Sequence, residues 1–218
     1  VVGGVGGTGV ITIGQLLGMA AHLEGKGVAV LDMTGLAQKG GSVYTHIRIA
    51  ERPEDIHAVR IAAGEANAVL GCDMIVSASD EAIAKMSTGR TRAVINGDIA
   101  PTGGFVKDPD FSAPSGAMHG TILEAVGEGN VDFVAAGALA TALMGDAIYT
   151  NPFMLGYGYQ KGLIPLSLAS IDRAIELNGT AVEANRKAFE WGRRAAADLR
   201  SVQRAATPPE AKPAQQRL

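Results

Sequence analysis

The chain has 218 residues, of which 47% are hydrophobic and 5% aromatic, and its formal net charge is −3. This length accommodates one large α/β domain with a helical appendage, and the weakly acidic balance excludes the basic face that nucleic-acid binding needs. No run of about 18 apolar residues is present, so no membrane span is predicted. The single cysteine, Cys72, excludes an internal disulfide and any iron–sulfur cluster built by this chain alone. A reducing cytoplasm is the expected location.

The first predicted elements are a strand, a glycine-rich turn, a helix and a second strand. The first strand ends at residues 1–2, and because the chain starts inside it without a methionine, we expect a piece of a longer polypeptide. Apolar residues recur at helical spacing over residues 8–23, and Gly25 ends that helix. Residues 27–33 form an apolar run with Asp32 near its end, which predicts a second strand. This order predicts a βαβ unit with parallel strands and a right-handed crossover.

The middle of the chain predicts three more strands and a long loop. Residues 43–49 alternate in polarity, which indicates a half-exposed strand whose polar face carries Tyr44, His46 and Arg48. His46 and Arg48 could contact an anion there, but a solvated strand face is the favoured interpretation. Later apolar runs predict buried strands, and a stretch rich in proline and glycine predicts a binding or contact loop. These segments are the strand 73–79, a helix around 80–86, the strand 91–97 and the loop 98–120.

The last third of the chain is predicted to be helical. Residues 133–144 are apolar nearly all round, which indicates a helix buried on several sides. A second helix is expected between an N-cap at Ser167 and a stop at Gly179, and a third over residues 180–199. The predicted fold is therefore Rossmann-like α/β, a mostly parallel sheet with helices on both faces and a C-terminal helical extension. The expected units are a glycine-rich domain 1–130, packed helices 131–200 and a disordered tail 201–218.

The glycines of the first turn match a phosphate-binding pattern. Gly4-x-Gly6-x-x-Gly9 follows a strand and precedes a helix, as in dinucleotide-binding proteins, where a diphosphate approaches the second glycine. The alternative is a tight turn whose glycines only permit close helix–strand packing. Asp32 either holds the ribose of a nicotinamide cofactor or, as we favour, braces the loop 34–42.

Several segments taken together resemble one enzyme family. They are "GVGGTGV", "LDMTGLAQKGGSVYTHIRIA", "LGCDMIVSASDEA", "NPFMLGYGYQKGLIPLS" and "AIELNGTAVEANRKAFEWGR". Residues 1–197 resemble the gamma domain of 2-oxoacid:ferredoxin oxidoreductases, most closely the C-terminal domain of the bacterial indolepyruvate enzymes. The combined segments are far more specific than the glycine pattern alone.

The resemblance implies an accessory part of a larger cytoplasmic enzyme. Such enzymes decarboxylate a 2-oxoacid, here of the indolepyruvate or arylpyruvate type, on thiamine diphosphate and pass electrons through iron–sulfur clusters to ferredoxin, releasing an acyl-CoA. "NGDIA" at 96–100 matches the thiamine-diphosphate signature poorly, and one cysteine cannot hold a cluster. Thiamine diphosphate, magnesium and the clusters are therefore expected on partner domains or subunits of an oligomeric complex. No catalytic or metal-binding residue is assigned to this chain.

Two roles remain for the accessory domain, with two alternatives outside them. The glycine turn and Lys39 could hold a phosphate of CoA, or the glycines could pack against the thiamine-bearing part during assembly. Lys39 stands where the family often has arginine, so a bidentate contact is lost. The alternatives are an NAD-dependent dehydrogenase and a purely structural module. The candidate cofactor-binding residues are Gly4, Gly6, Gly7, Thr8, Gly9, Lys39, Gly40 and Gly41.

The remaining polar candidates have plain structural interpretations. His119 is expected to be a surface or interface residue, and Cys72 to be buried and inert. Ser77 and Ser79 could line a ligand site at a strand end, although helix capping explains them equally well. The four histidines show no metal-ligand spacing, so no metal site is predicted.

Overall fold

The computed structural model of the protein describes residues 1–34, 41–98 and 115–207. Its centre is a six-stranded sheet in the order β2-β3-β1-β4-β5-β6, mostly parallel, which confirms the predicted α/β fold class. Apolar runs with β-branched residues form the strands, as expected for a sheet covered on both faces. The strands are β1 (Val2–Val5), β2 (Gly27–Thr34), β3 (Ser42–Ala50), β4 (Ala68–Gly71), β5 (Arg92–Asn96) and β6 (Val131–Val134).

Helices cover both faces of this sheet, as predicted. One core contains α1, the C-terminal helices and one sheet face, and the other contains α2, α3, α4 and the opposite face. In the described part of the chain, no helix is long and apolar enough to cross a bilayer. The helices are α1 (Val10–Leu23), α2 (Met74–Ser77), α3 (Asp80–Ile83), α4 (Ser115–Val126), α5 (Ala136–Met144), α6 (Thr150–Gln160), α7 (Leu168–Asn178), α8 (Val182–Ala197) and α9 (Leu199–Ala206); short 3₁₀ turns lie at Pro53–Asp55 and Ala147–Tyr149.

The first three strands depart from a simple βαβ unit. β1 and β2 run in the same direction, but β3 lies between them and is antiparallel to both. Thr45 is the register partner of Val2 on one side and of Asp32 on the other. Asp32 is therefore two strand spacings from β1, roughly 10 Å. β2 and β3 pair as an antiparallel hairpin, which the sequence did not predict. This pairing places β3 between β1 and β2.

The strand predicted at 73–79 is wrong. The strand of this region is β4, and residues 74–77 form helix α2 instead. The backbone turns because the Asp73 carboxylate accepts a hydrogen bond from the Val76 N–H at 2.9 Å, which caps the new helix. The apolar residues of α2 are as buried as those of a strand, so hydrophobicity alone did not separate the two structures.

Two other predicted segments change at their boundaries. The helix expected over 133–144 starts only at Ala136, because residues 131–134 are the edge strand β6. The domain boundary predicted at 130 thus falls just before a strand of the central sheet. Of the loop expected over 98–120, residues 115–120 belong to helix α4, and 99–114 lie outside the described residues.

The C-terminal helices follow the sequence signals closely. Ser167 caps α7 by accepting a hydrogen bond from the Ser170 N–H, and Gly179 ends that helix with a φ of 72°. The next helix, α8, covers most of the predicted 180–199 segment. The predicted tail begins too early, because residues 201–206 lie in α9 and Val202 is buried there. Residues 208–218 lie outside the described part of the chain.

Candidate functional site

The glycine turn joins β1 to α1 at the edge of the sheet where the parallel strands end. Gly7 and Gly9 adopt φ angles of +87° and +96°, which residues with a Cβ atom rarely adopt. The turn is closed by Thr8, whose backbone N–H and hydroxyl both donate to the Val5 carbonyl, at 3.3 and 2.7 Å. Gly7 and Thr8 are exposed, so this part of the turn faces outward.

Gly4 and Gly6 are required by the packing of the chain on itself. A Cβ atom on Gly4 would lie 2.6 Å from Val10 Cγ2 and 3.1 Å from the Cβ of Cys72. A Cβ atom on Gly6 would lie 3.2 Å from the Gly41 carbonyl oxygen, which also accepts the Gly6 N–H at 2.8 Å. The second glycine of the pattern therefore approaches another backbone segment of the same chain, where a dinucleotide-binding protein admits a diphosphate.

Among the described residues, no side chain caps the N-terminus of α1. Gly9 is its N-cap residue, and no acidic residue occupies the first turn. The first N–H groups of a helix carry partial positive charge and need an acceptor from outside the helix. This terminus is the part of the predicted site that retains capacity for an anion.

Asn151, a buried residue of α6, fixes the glycine turn from the other side. Its Nδ2 atom donates to the Thr8 carbonyl at 2.7 Å and lies 3.5 Å from the Thr8 hydroxyl oxygen. The side chain is 3% exposed. Because this contact spans 143 residues of sequence, no local pattern around the turn could have revealed it.

A cleft of about 600 Å³ lies beside the turn, at the carboxyl ends of β1, β4 and β5. This edge is where α/β proteins commonly bind their ligands. Two of the lining side chains that the structure describes are carboxylates, and none is basic. The lining residues are Val5, Thr8, Cys72, Asp73, Asn96, Asp98, Gly137, Ala138, Thr141, Ala142, Ala147, Thr150 and Asn151.

Asn96 and Asp98 in this cleft cap helix α5. The Asn96 amide oxygen accepts from the Ala136 N–H at 3.0 Å, and its Nδ2 donates to the Cys72 carbonyl at 3.2 Å. The Asp98 carboxylate accepts from the Ala138 N–H at 2.8 Å. Asn96 and Asp98 belong to the "NGDIA" segment, and the described hydrogen bonds of both side chains are made to the start of α5 and to the backbone near them. These contacts give the two side chains a structural role.

Cys72 and its neighbour Asp73 lie in low-dielectric surroundings. Burial raises the pKa of the Cys72 thiol to about 12, with a smaller contribution from the Asp73 charge. Burial also raises the pKa of Asp73, against the lowering effect of its hydrogen bonds to the Val76 and Ile75 N–H groups. A thiol with such a pKa is protonated and a weak nucleophile at neutral pH. No group of three or more His, Cys, Asp or Glu side chains in the described residues could hold a metal ion, so an iron–sulfur cluster does not fit.

Asp32 is placed apart from the glycine turn. Its carboxylate accepts a hydrogen bond from the Thr45 hydroxyl at 2.6 Å, across the β2–β3 hairpin. Its register partner pairs with Val2 on the other side, so Asp32 is level with the start of β1 and two strands away. A ribose held by Asp32 could not have its phosphate on the turn in the usual way. The bracing of the loop 34–42 by Asp32 stays a prediction, because residues 35–40 lie outside the described residues.

The polar face of β3 is buried, which corrects the solvated face expected for it. His46 is 1% exposed, and its Nδ1 atom accepts the Ile61 N–H at 2.9 Å. Burial, followed by the positive charges around it, lowers the pKa of His46 to about 4, so the ring is neutral near pH 7. Arg48 donates to the Arg60 carbonyl and the Glu65 carboxylate at 3.0 and 3.1 Å. The loop that follows β3 folds back over this face, and a period of two in the sequence does not encode that.

The other candidate residues have structural partners or lie outside the described part. The His119 Nδ1 is 2.8 Å from the Ser115 carbonyl oxygen, and its ring lies 4.2 Å from the Phe133 ring. Ser79 caps α3, which agrees with the capping interpretation, whereas the Ser77 hydroxyl donates to the Asp73 carbonyl and caps no described helix. Lys39 and Gly40 lie outside the described residues.

The fold defines an α/β module with a mostly parallel sheet and a candidate site at the carboxyl ends of its strands. Residues 1–195 match the pyruvate ferredoxin/flavodoxin oxidoreductase family, and the chain belongs to that family. It is 30% identical to "Indolepyruvate oxidoreductase subunit IorB" of Methanothermobacter thermautotrophicus, over 89% of this chain and 95% of that protein. The protein of the same name from Pyrococcus horikoshii is 28% identical, over 91% and 96%.

Two solved structures share the fold. The gamma subunit of a keto/oxoacid ferredoxin oxidoreductase from Geobacter sulfurreducens superimposes with a TM-score of 0.61 at 21% identity, covering 90% of this chain and 96% of that one. The 2-oxoglutarate:ferredoxin oxidoreductase from Magnetococcus marinus gives 0.61 at 17% identity, covering 97% of this chain and 31% of that one. The chain is thus an accessory component of a 2-oxoacid:ferredoxin oxidoreductase, as the sequence resemblance implied.

Proposed function

We propose that the chain serves an enzyme that oxidises indolepyruvate or a related arylpyruvate, and that its role is assembly with the catalytic components. The observation that carries the substrate class is the 30% identity, along nearly the whole chain, to a protein named as an indolepyruvate oxidoreductase subunit. The proposed partners carry thiamine diphosphate, magnesium and iron–sulfur clusters and reduce ferredoxin. A reducing cytoplasm remains the proposed location, because this chemistry depends on reduced clusters.

The residues of the described part support an accessory role. Oxidative decarboxylation needs an electron sink for the carbanion, which a thiamine cofactor supplies when it is bound, and a one-electron relay. The only thiol of the chain is buried with a raised pKa, and Asn96 and Asp98 cap α5. Both functions therefore belong to the partners in this proposal.

The geometry of the glycine turn supports assembly over CoA binding. Gly4 and Gly6 are explained by contacts within the chain, and the adjoining cleft presents the carboxylates of Asp73 and Asp98. A diphosphate brought there would meet like charge, which is unfavourable in a partly desolvated site. An uncharged or basic protein surface would meet no such repulsion.

CoA remains a second candidate because of one observation: within the part of the chain that the structure describes, no side chain caps the N-terminus of α1 beside the exposed Gly7 and Thr8. A phosphate oxygen could accept from these free N–H groups. Isothermal titration of CoA into the chain distinguishes the two roles. Binding in the micromolar range that is lost in Gly7→Asn, a variant compatible with positive φ, would establish the phosphate site. Absence of binding leaves assembly as the role.

Reconstitution tests the assembly role directly. The purified chain should give no indolepyruvate-dependent reduction of ferredoxin or a viologen dye, even with thiamine diphosphate, magnesium and CoA added. Activity should appear when the thiamine- and cluster-bearing components are supplied, and omission of this chain should abolish or strongly reduce it. Turnover by the chain alone, with contaminating enzyme excluded, would show that it is an autonomous enzyme.

A further inference from the structure

We infer that the rim of the cleft formed by Ile148 and Asp98 is the surface that docks on the catalytic component, and that the partner presents an apolar side chain beside a lysine or arginine. This inference rests on the proposed assembly function and assigns that function a surface. The Ile148 side chain is exposed, and Asp98 caps α5 with one carboxylate oxygen.

Ile148 is the most exposed large hydrophobic residue of the described chain, at 64%. It lies in the 3₁₀ turn Ala147–Tyr149, next to Ala147 and Thr150, which line the cleft. The turn is held in place, because Asp146 accepts from the Ile148 N–H at 2.9 Å and the Thr150 hydroxyl donates to the Ala147 carbonyl at 2.6 Å. A fixed, exposed isoleucine loses little conformational entropy on contact, which is typical of an interface anchor.

Behind Ile148, the wall of the cleft is built from small residues. Gly137, Ala138, Ala142 and Ala147 leave the 600 Å³ space open, so a side chain from another protein can enter beside α5. Gly137 is required for this wall, since a Cβ atom there would come 2.9 Å from the Asp98 carboxylate. An apolar anchor next to a concave apolar wall matches the centre of a protein–protein interface.

The charge of the rim specifies the other half of the partner. Asp98 lines the cleft and Asp146 adjoins it; Asp73 also belongs to the lining but is only 4% exposed, and the described lining contains no basic side chain. In the described residues, none of these three carboxylates is paired with a lysine or arginine within salt-bridge distance. Asp98 uses one oxygen to cap α5, which fixes the carboxylate at the mouth of the cleft. A cation from the partner would complete this arrangement at close range.

The other exposed apolar residues are set in different surroundings. Leu168 borders a groove between α7 and α8 in which Asp172 and Arg186 already form an ion pair at 2.7 Å. Leu177, 48% exposed on α7, is outside the lining of either surface. Because its charges are balanced, the groove favours neither an acidic nor a basic partner. The acidic cleft rim favours a basic one.

Three variants of the chain test the inference in reconstitution with the catalytic components, with the dissociation constant measured by interferometry. Ile148→Ser should weaken association at least tenfold, because it removes the apolar anchor. Asp98→Asn keeps an oxygen for the Ala138 N–H but removes the charge, and should weaken association about three- to tenfold and flatten its salt dependence. Leu177→Ser is the matched control and should stay within twofold of the unaltered chain.

Thermal unfolding of each variant identifies losses that are due to misfolding alone. Association of all three variants like the unaltered chain would overturn the inference and leave the proposed assembly function intact. Tighter binding of Asp98→Asn would contradict the inference that the partner presents a lysine or arginine to Asp98. Failure of the unaltered chain to associate at all would instead overturn the proposed function, and this surface with it.

Discussion

Gly156 of α6 and Gly192 of α8 lie against each other's helix backbone. A Cβ atom on Gly156 would overlap the Phe189 carbonyl, and one on Gly192 would overlap the Phe153 carbonyl. The two contacts are reciprocal, so the helices touch backbone to backbone at this point. α6 also carries Asn151, whose side chain donates a hydrogen bond to the Thr8 carbonyl in the glycine turn. The close contact between α6 and α8 therefore helps to hold the candidate site in position.

We expect Gly156→Ala and Gly192→Ala each to lower the free energy of unfolding by about 3 kcal/mol, since a backbone obstacle cannot move aside as a flexible side chain can. The melting temperature should fall by roughly 6–12 °C. Calorimetry or circular dichroism measures the change.

Gly120→Ala is the control, because Gly120 lies within α4 and a Cβ atom there has nothing within 4 Å. This variant should be neutral or more stable by up to about 1 kcal/mol, since alanine favours the helix. Destabilisation of Gly120→Ala equal to that of the other two variants would show that the close helix contact is not the cause.

Gly6→Val should destabilise the fold by about 1–3 kcal/mol, because its branched side chain would press on the Gly41 carbonyl and Val43. Gly7→Asn, in open space at positive φ, should change stability much less. Denaturant unfolding of both variants measures the difference. A stable Gly6→Val protein would mean that the second glycine is kept for an external ligand.

The stability of the chain should fall as the pH decreases from about 6.5 towards 4, through the titration of His46. The unfolded histidine takes up a proton near pH 6.5, whereas burial and the charges of Lys85, Arg60 and Arg48 lower the pKa in the fold to about 4. The unfolded state binds more protons in this range, so acid favours unfolding, by an amount on the order of 2 kcal/mol.

His46→Asn isolates this contribution, because its amide oxygen can accept the Ile61 N–H without titrating. Unfolding free energies at pH 7.5 and 5 should differ less in the variant than in the unaltered chain. Identical pH dependence would show that other groups cause the acid sensitivity.

NADH and NADPH should not bind tightly to the chain. The strand β3 separates Asp32 from the strand that leads to the glycine turn, and the Asp32 carboxylate is bonded to the Thr45 hydroxyl. Fluorescence titration should detect no saturable binding at low micromolar concentrations. Tight binding would restore the dehydrogenase interpretation and require a cofactor pose different from the usual one.

The sequence by itself determined the features that local chemistry controls. Helical spacing placed α1, the capping serine and the terminal glycine placed α7, and the combined segments indicated the family along residues 1–197, of which the family match covers 1–195. These signals lie within a few turns of chain or in the order of motifs along it, and neither needs knowledge of distant contacts.

Only the tertiary structure decided which strand lies beside β1, which face of β3 is buried and what the glycines approach. β3 lies between β1 and β2 because it pairs with both of them. The same apolar runs would also allow β2 to pair directly with β1 after the helical crossover. Gly6 meets Gly41, Thr8 meets Asn151 and Asn96 meets the start of α5 over separations of 35, 143 and 40 residues. Such contacts depend on how whole helices and strands pack together. A local sequence pattern therefore does not predict which element will lie beside it.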